Sequence, residues 1–240
     1  MKTSAMLFAA GLGTRLYPLT AKRPKALLLY NGKPLLAHII EKITGANIRH
    51  IVINVHHFAD QIEEWVARQH YEADIEFSNE RKQLLDTGGG LKFAEPLLAG
   101  SSRILLHNTD VISTIDLTKL LEAHERGNAL ATLAVRERCT ARYFIFDKDT
   151  MQLCGWCNKT ENKYCWGRSC TNPVELAFSG IHVVSPEIFN RITTPEKQSL
   201  TTIYLALSAR ERLIGYLDNS DFWQDMGKDP AQFKKPPLHH

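Results

Sequence analysis

The chain has 240 residues, 44% hydrophobic and 23% charged, with 29 basic against 26 acidic side chains and a formal net charge of +3. That length suits one large domain with a substantial core, the composition is that of a soluble globular chain, and so small a charge argues against a nucleic-acid partner. No segment approaches the roughly 18 uninterrupted apolar residues of a membrane span. The apolar run after Met1-Lys2 is broken by Gly11, Gly13 and Arg15 before a secretory signal is complete, so no membrane partner and a cytoplasmic location are expected.

Ser4-Ala5-Met6-Leu7-Phe8 reads as a short buried strand, followed by Ala9-Ala10-Gly11-Leu12-Gly13-Thr14-Arg15 where the chain leaves the sheet. Gly11 and Gly13 let the backbone approach an anion, and N–H groups turned outward there make a phosphate cradle. Arg15 adds a planar fork of donors; Lys25, after Pro18-Leu19-Thr20 and Pro24, adds a compact charge. A dinucleotide fingerprint is not met, because Leu16 holds its third glycine slot, and no P-loop string occurs. A plain strand-to-helix turn is the competing explanation, and the two added cations count against it.

Leu35 to Ile43 has apolar residues at helical spacing, with Pro34 suited to a first turn and Gly45 to a stop. His50 to Val55 is β-branched and strand-like, and Ala59 to Gln69 is helical through Ile62, Trp65 and Val66. Ile75 to Phe77 alternates as a strand, Gly88-Gly89-Gly90 reads as a turn, and Gly90 to Leu98 as a short helix. A strand over Arg103 to His107 ends at Asn108-Thr109-Asp110, a helix covers Leu117 to His124, and Ala129 to Val135 is again a strand. This alternation predicts an α/β fold, a Rossmann-like three-layer α/β/α sandwich with a mostly parallel central sheet.

After about Arg136 the pattern changes to short strands at Tyr143 to Phe146, Leu153 to Trp156 and Leu176 to Val184, predicting a small β-rich region over one rim of the sheet. Helices at Pro186 to Arg191 and Leu200 to Arg210 and a strand at Leu213 to Leu217 follow. Residues 1–233 are expected to form a single domain, its halves meeting near residues 136 and 137, with 234–240 a disordered tail. In open α/β sheets ligands sit beyond the carboxyl ends of the strands, where the 11–13 loop, Asp110 and the glycine run should emerge. A second carboxylate, Asp225, ends the aromatic run Phe222-Trp223-Gln224-Asp225-Met226-Gly227. Two such carboxylates suit a shared Mg²⁺ with phosphate oxygens, or a cap and a turn residue if they act alone.

Together with Gly32-Lys33-Pro34-Leu35, Asp86-Thr87-Gly88 and Phe178-Ser179-Gly180, these motifs resemble, in order and over nearly the whole chain, the sugar-1-phosphate nucleotidyltransferase family. The resemblance implies a GT-A-like fold, a nucleoside triphosphate and a sugar 1-phosphate as partners, release of pyrophosphate, Mg²⁺ as cofactor and a role in nucleotide-sugar supply to the cell envelope. It implies a nucleotide site at Ala9, Ala10, Gly11, Gly13, Thr14, Arg15 and Lys25, with Glu80, Thr87 and Gly88 at the base. Asn108, Lys159, Phe178, Ser179 and Gly180 would meet the sugar phosphate, Asp110 and Asp225 the metal, and Arg15, Lys25, Asp110 and Asp225 would carry the chemistry. Overall likeness leans to UTP. A GTP-dependent mannose or heptose 1-phosphate guanylyltransferase, a phosphocholine cytidylyltransferase and a catalytically silent regulatory homologue are the alternatives, and the assembly expected is a monomer or small homo-oligomer.

The sequence departs from the family pattern at Ala26 and Thr109, where proline and glycine are common, and at Gly155 to Lys159, where Lys159 replaces the lysine of an acidic-Lys-Pro element. Cys154-x-x-Cys157 and Cys165-x₄-Cys170 have a spacing compatible with a zinc knuckle, but the outer spacing favours reduced thiols in a surface loop. His56-His57 and Trp65 read as scaffold or core.

Overall fold

The computed structural model describes residues 2–228, so the 234–240 tail expected to be disordered lies outside the described residues. The first half runs β1 (Thr3–Phe8), β2 (Leu29–Tyr30), β3 (Lys33–Pro34), α1 (Leu35–Gly45), β4 (His50–Val55), α2 (Ala59–Ala67), β5 (Asp74–Asn79), α3 (Asp86–Phe93), β6 (Arg103–Asn108), β7 (Val111–Ser113), α4 (Leu117–Gly127) and β8 (Ala131–Arg136). β5, β4, β1 and β6 lie side by side and parallel. Parallel neighbours need crossovers, and successive residues of β1, β4 and β6 are buried on opposite faces. Ala5, Leu7, Ile51, Ile53 and Leu105 pack under α1, α2 and α4, whereas Met6, Val52, Ile104 and Leu106 pack under α3 and the later helix α5 (Leu200–Leu207). Each fully buried aliphatic side chain stabilises by ~1.5–3 kcal/mol, so the alternation fixes register as well as layers.

The second half adds β9 (Arg142–Asp147), β10 (Leu153–Asn158), β11 (Lys163–Trp166), β12 (Pro173–Val184), α5, β13 (Leu213–Leu217) and β14 (Trp223–Asp225). The β-rich region is not laid over a rim, as the sequence suggests, but continues the same ten-stranded sheet. The twelve-residue β12 is the joint: Pro173–Leu176 pairs antiparallel with β9, and Ile181–Val184 pairs antiparallel with β6. Its register against β8 slips between Phe178 and His182, where Gly180 takes φ 76. A bulge of this kind bends a strand and lets it serve two partners.

Gly88-Gly89-Gly90 is helical rather than a turn, forming the first half of α3. A Cβ on Gly88 would strike Ile203 and the Gln198 carbonyl, and one on Gly90 would lie 2.5 Å from Glu80 Oε1. Close approach of α3 to its neighbours, not chain reversal, requires the glycines. The expected helix to Leu98 is divided into α3 and a 3₁₀ turn over Glu95–Leu98, because Pro96 disfavours α conformation before it.

Candidate active site

β1 lies between β4 and β6, so the chain leaves it toward one neighbour and later returns to the other. This is a topological switch point, and a cavity of about 240 Å³ opens there, lined by Ala10, Gly11, Lys25, Glu80, Asn108 and Asp110 among others. Beyond β1, Gly13 takes φ 66 and its carbonyl accepts a hydrogen bond from Thr20 Oγ1 at 2.9 Å, which pins the loop. Thr14 and Arg15 are exposed in a 3₁₀ turn, and Arg15 does not line the cavity.

The amides of Ala9 and Ala10 are already committed: Asn54 Oδ1 accepts from them at 2.7 and 3.3 Å. Among the described residues no acceptor is recorded for the N–H groups of Gly11, Leu12 or Gly13, so the donor-rich part of the loop starts at Gly11. Asn54 Nδ2 donates to Glu80 Oε1 at 2.7 Å, and Leu85 N donates to Glu80 Oε2 at 3.0 Å. Burial raises the Glu80 pKa, opposed by these two donors. Asn54 was missed by sequence reasoning, although an amide inside the β-branched run His50 to Val55 is the signal that finds it. Lys197, which also lines the cavity, sits in a polar loop with no pattern to mark it.

Asp110 follows β6 and faces Lys25, whose Nζ lies 2.5 Å from its Oδ2, both side chains being about 15% exposed or less. The Thr109 hydroxyl donates to the Phe8 carbonyl at 2.8 Å, tying β6 to β1 beside the carboxylate. β7 and β14 pair antiparallel with Val111 opposite Asp225, which delivers the second carboxylate from more than a hundred residues away. Met226 N donates to the Asp110 carbonyl at 2.7 Å, and Gly227 N to Asp225 Oδ1 at 2.9 Å. A Cβ at Gly227 would fall 2.5 Å from Asp110 Oδ2 and 3.1 Å from Asp225 Oδ1, so the two carboxylates converge where no side chain fits. Adjacent oxygen donors with adjoining open cavity suit a hard divalent cation that keeps some of its water.

The remaining expected residues divide. Asn108 and Thr87 line the cavity, but the Thr87 hydroxyl accepts from Leu200 N at 2.9 Å and Gly88 N donates to the Gln198 carbonyl at 2.9 Å. Both therefore also fasten α3 to the start of α5. Phe178 stacks on His182 at 5.2 Å; the Ser179 carbonyl accepts from Trp223 Nε1 at 2.8 Å; Gly180 packs against Asn108. Lys159 stands apart from the cavity, held by Glu175 Oε1 at 2.5 Å and Tyr164 Oη at 2.9 Å, and the Glu175 contact raises its pKa.

Among the described residues no three of the cysteines gather, although Cys154 and Cys170 adjoin. Cys154 and Cys157 are buried within β10 rather than in a surface loop, Cys165 and Cys170 are partly exposed, and burial together with Cys170 pushes the Cys154 thiol up to about 12. Among the described residues, the one group of at least three metal-ligating types within 4.8 Å is His50, Asp74 and Glu76, at the opposite ends of β4 and β5 from the cavity. His56 accepts a scaffold role through Nδ1 and the Glu80 carbonyl, 2.7 Å apart, and Trp65 packs against the core. No helix among the described residues is long and apolar enough to cross a membrane.

A family profile described as nucleotidyl transferase matches residues 4–235. An N-acetylmuramate alpha-1-phosphate uridylyltransferase of Caulobacter vibrioides is 43% identical, over 95% of this chain and 93% of that one. A mannose-1-phosphate guanyltransferase of Yarrowia lipolytica is 28% identical over 95% of this chain, which spans only 61% of that longer protein. The crystal structure of HddC from Yersinia pseudotuberculosis complexed with GMP-PN superimposes with a TM-score of 0.77 at 20% identity, covering 96% of each chain.

Proposed function

The chain belongs to the nucleotidyl transferase family, and from that premise we propose that it transfers a nucleotidyl group from UTP to a sugar 1-phosphate, releasing pyrophosphate. The observation that carries this is the convergence of Lys25, Asp110 and Asp225 at the mouth of the switch-point cavity, beside a loop with free amides. The Caulobacter relative favours N-acetylmuramate 1-phosphate as acceptor. The Yarrowia relative favours GTP and mannose 1-phosphate as the second pair to be tested.

A phosphate oxygen of the acceptor attacks the α-phosphorus in line, forming one P–O bond as the α–β bridging bond breaks and pyrophosphate leaves. No protein nucleophile is needed, and no strong base, since a phosphate monoester is already anionic near neutral pH. The Gly11 to Gly13 amides bind the triphosphate, Lys25 and Arg15 stabilise charge gathering on the phosphoryl oxygens, and the cleft aligns the two phosphates. Asp110 and Asp225 would hold Mg²⁺, which supplies charge neutralisation to the phosphates when bound. A cytoplasmic monomer or small homo-oligomer goes with this reading. Pyrophosphate release, assayed with Mg²⁺ across a matrix of nucleoside triphosphates and sugar 1-phosphates, tests it. Release with UTP and N-acetylmuramate 1-phosphate is expected, and no release in any pairing would favour the silent homologue.

A further inference from the structure

Transfer between two phosphates calls for a cation on the acceptor side, and Lys159 is already neutralised by Glu175. We propose that Arg138 binds the phosphate of the sugar 1-phosphate, an assignment that rests on the transferase reading above. The Arg138 guanidinium carbon lies 4.1 Å from the centroid of the Trp223 ring, and one terminal nitrogen donates to the Phe178 carbonyl at 3.0 Å. Trp223 and Asp225 are two residues apart in β14, so their side chains share a face, and the guanidinium sits on the face that carries the metal-side carboxylate. Trp223 Nε1 donates to the Ser179 carbonyl at 2.8 Å, joining this unit to the β12 bulge that packs on Asn108 at the cavity.

The donors of Arg138 are not consumed. Stacking on indole uses the face of the guanidinium and Phe178 uses one N–H, while Nε is buried with no partner. Among the described residues no carboxylate forms an ion pair with Arg138, whereas neighbouring Arg136 is spent on Asp218 at 3.6 Å and the Ser220 carbonyl at 2.8 Å. A planar fork fixed by an aromatic face is pre-organised for two oxygens of one phosphate, which an ammonium cannot reproduce.

The test compares the unsubstituted protein with Arg138→Met and Arg138→Lys in pyrophosphate release, using UTP and N-acetylmuramic acid 1-phosphate. For Arg138→Met the acceptor KM should rise about 10- to 100-fold, the scale of one charged hydrogen-bonded contact. The UTP KM should stay within about twofold, and the Mg²⁺ concentration for half-activation should shift far less than the acceptor KM, because Arg138 forms no ion pair with Asp225 and acts on that carboxylate only through longer-range charge. Arg138→Lys keeps the charge and loses the fork, so an intermediate acceptor KM is expected, and it serves if the methionine variant does not fold. An unchanged acceptor KM, or a shift in Mg²⁺ activation as large as that in KM, would overturn the assignment. The latter would mean that Arg138 acts only by holding Trp223 and hence Asp225. Absence of release by the unsubstituted protein would remove the transferase reading, and the Arg138 assignment with it.

Discussion

Replacing Asn54 separates the positioning of the loop from the chemistry. Asn54 is 2% exposed and makes three hydrogen bonds, accepting from Ala9 and Ala10 at 2.7 and 3.3 Å and donating to Glu80 at 2.7 Å. Asn54→Ala leaves the Ala9 N–H buried without an acceptor, at ~1–3 kcal/mol, and takes a donor from a buried carboxylate, at ~1.5–3 kcal/mol. The long Ala10 bond adds little, so the expected loss is about 3–5 kcal/mol out of a typical ~5–15. Urea titration followed by tryptophan fluorescence should show a lower midpoint at unchanged slope. A loss below ~1 kcal/mol would refute the role given to Asn54. Asn54→Asp is the sharper variant, because it keeps an acceptor for both amides but sets a second carboxylate against Glu80. Two touching carboxylates cannot both ionise freely, so one of them has its folded pKa raised. Its contribution is fully present below the unfolded value of about 4 and is lost as pH rises through the folded value. The deficit relative to the unsubstituted protein should therefore be smallest near about pH 4 and grow toward neutrality, and a deficit independent of pH would exclude the contact.

Asp110→Ala and Asp225→Ala should each abolish metal-dependent pyrophosphate release, and a near-normal rate in either would contradict the shared metal site. Lys25→Ala should lower kcat at least ~10²-fold, the scale of one missing electrostatic contact to the reacting oxygens; an unchanged kcat would leave Lys25 only its pairing with Asp110. His107 and His182 are buried, and burial lowers their pKa values from 6.5 to about 4 and about 3. The unfolded chain binds protons that the folded state refuses, so stability present above pH ~6.5 is lost on acidification, by up to ~1.4 kcal/mol per pH unit and histidine. Urea midpoints between about pH 7 and pH 4 should fall less steeply for His182→Phe, and an identical slope would show that His182 carries no part of the acid limb.

The layers were legible because β1, β4, β6 and β8 are buried on both faces and α1, α2 and α4 each carry one apolar stripe. β1, β4, β6 and α1 accordingly fall within a residue or two of their expected bounds. Long-range pairing was not legible: nothing local in Pro173 to Val184 says that its two ends meet different strands, since the bulge near Gly180 takes meaning only from the slipped pairing with β8 and from β9 and β6 on either side of it. Gly88 to Gly90 misled for a related reason, since glycine chosen for close approach looks the same in sequence as glycine chosen for a turn. Of the site, the charged residues were visible in their motifs, but their partners were not. The lysine at 159 matched a pattern by position, while Glu175, which occupies it, lies sixteen residues further on, in β12.

The charged groups of the site share one design, in which the carboxylate or ammonium is borne by a residue whose neighbours anchor the backbone. Asp110 is flanked by Thr109, bonded to the end of β1, and by Val111, paired to Asp225 itself. Its own carbonyl receives Met226 N. Lys25 opens a 3₁₀ turn set by buried Pro24 and Ala26. Such anchoring accommodates a β-branched residue at position 109, because the Thr109 hydroxyl has the Phe8 carbonyl to meet and ties β6 to β1 beside the carboxylate. It also places the adaptable part of the site elsewhere. Gly11 and Leu12 are exposed, and the side chains of Thr14 and Arg15 stand in solvent. Lys25, fixed at its backbone, has four side-chain torsions with which to leave Asp110 for a phosphate. A rigid pair of carboxylates facing a movable set of cations is the arrangement in which two anionic substrates can enter in turn and still be aligned at one end.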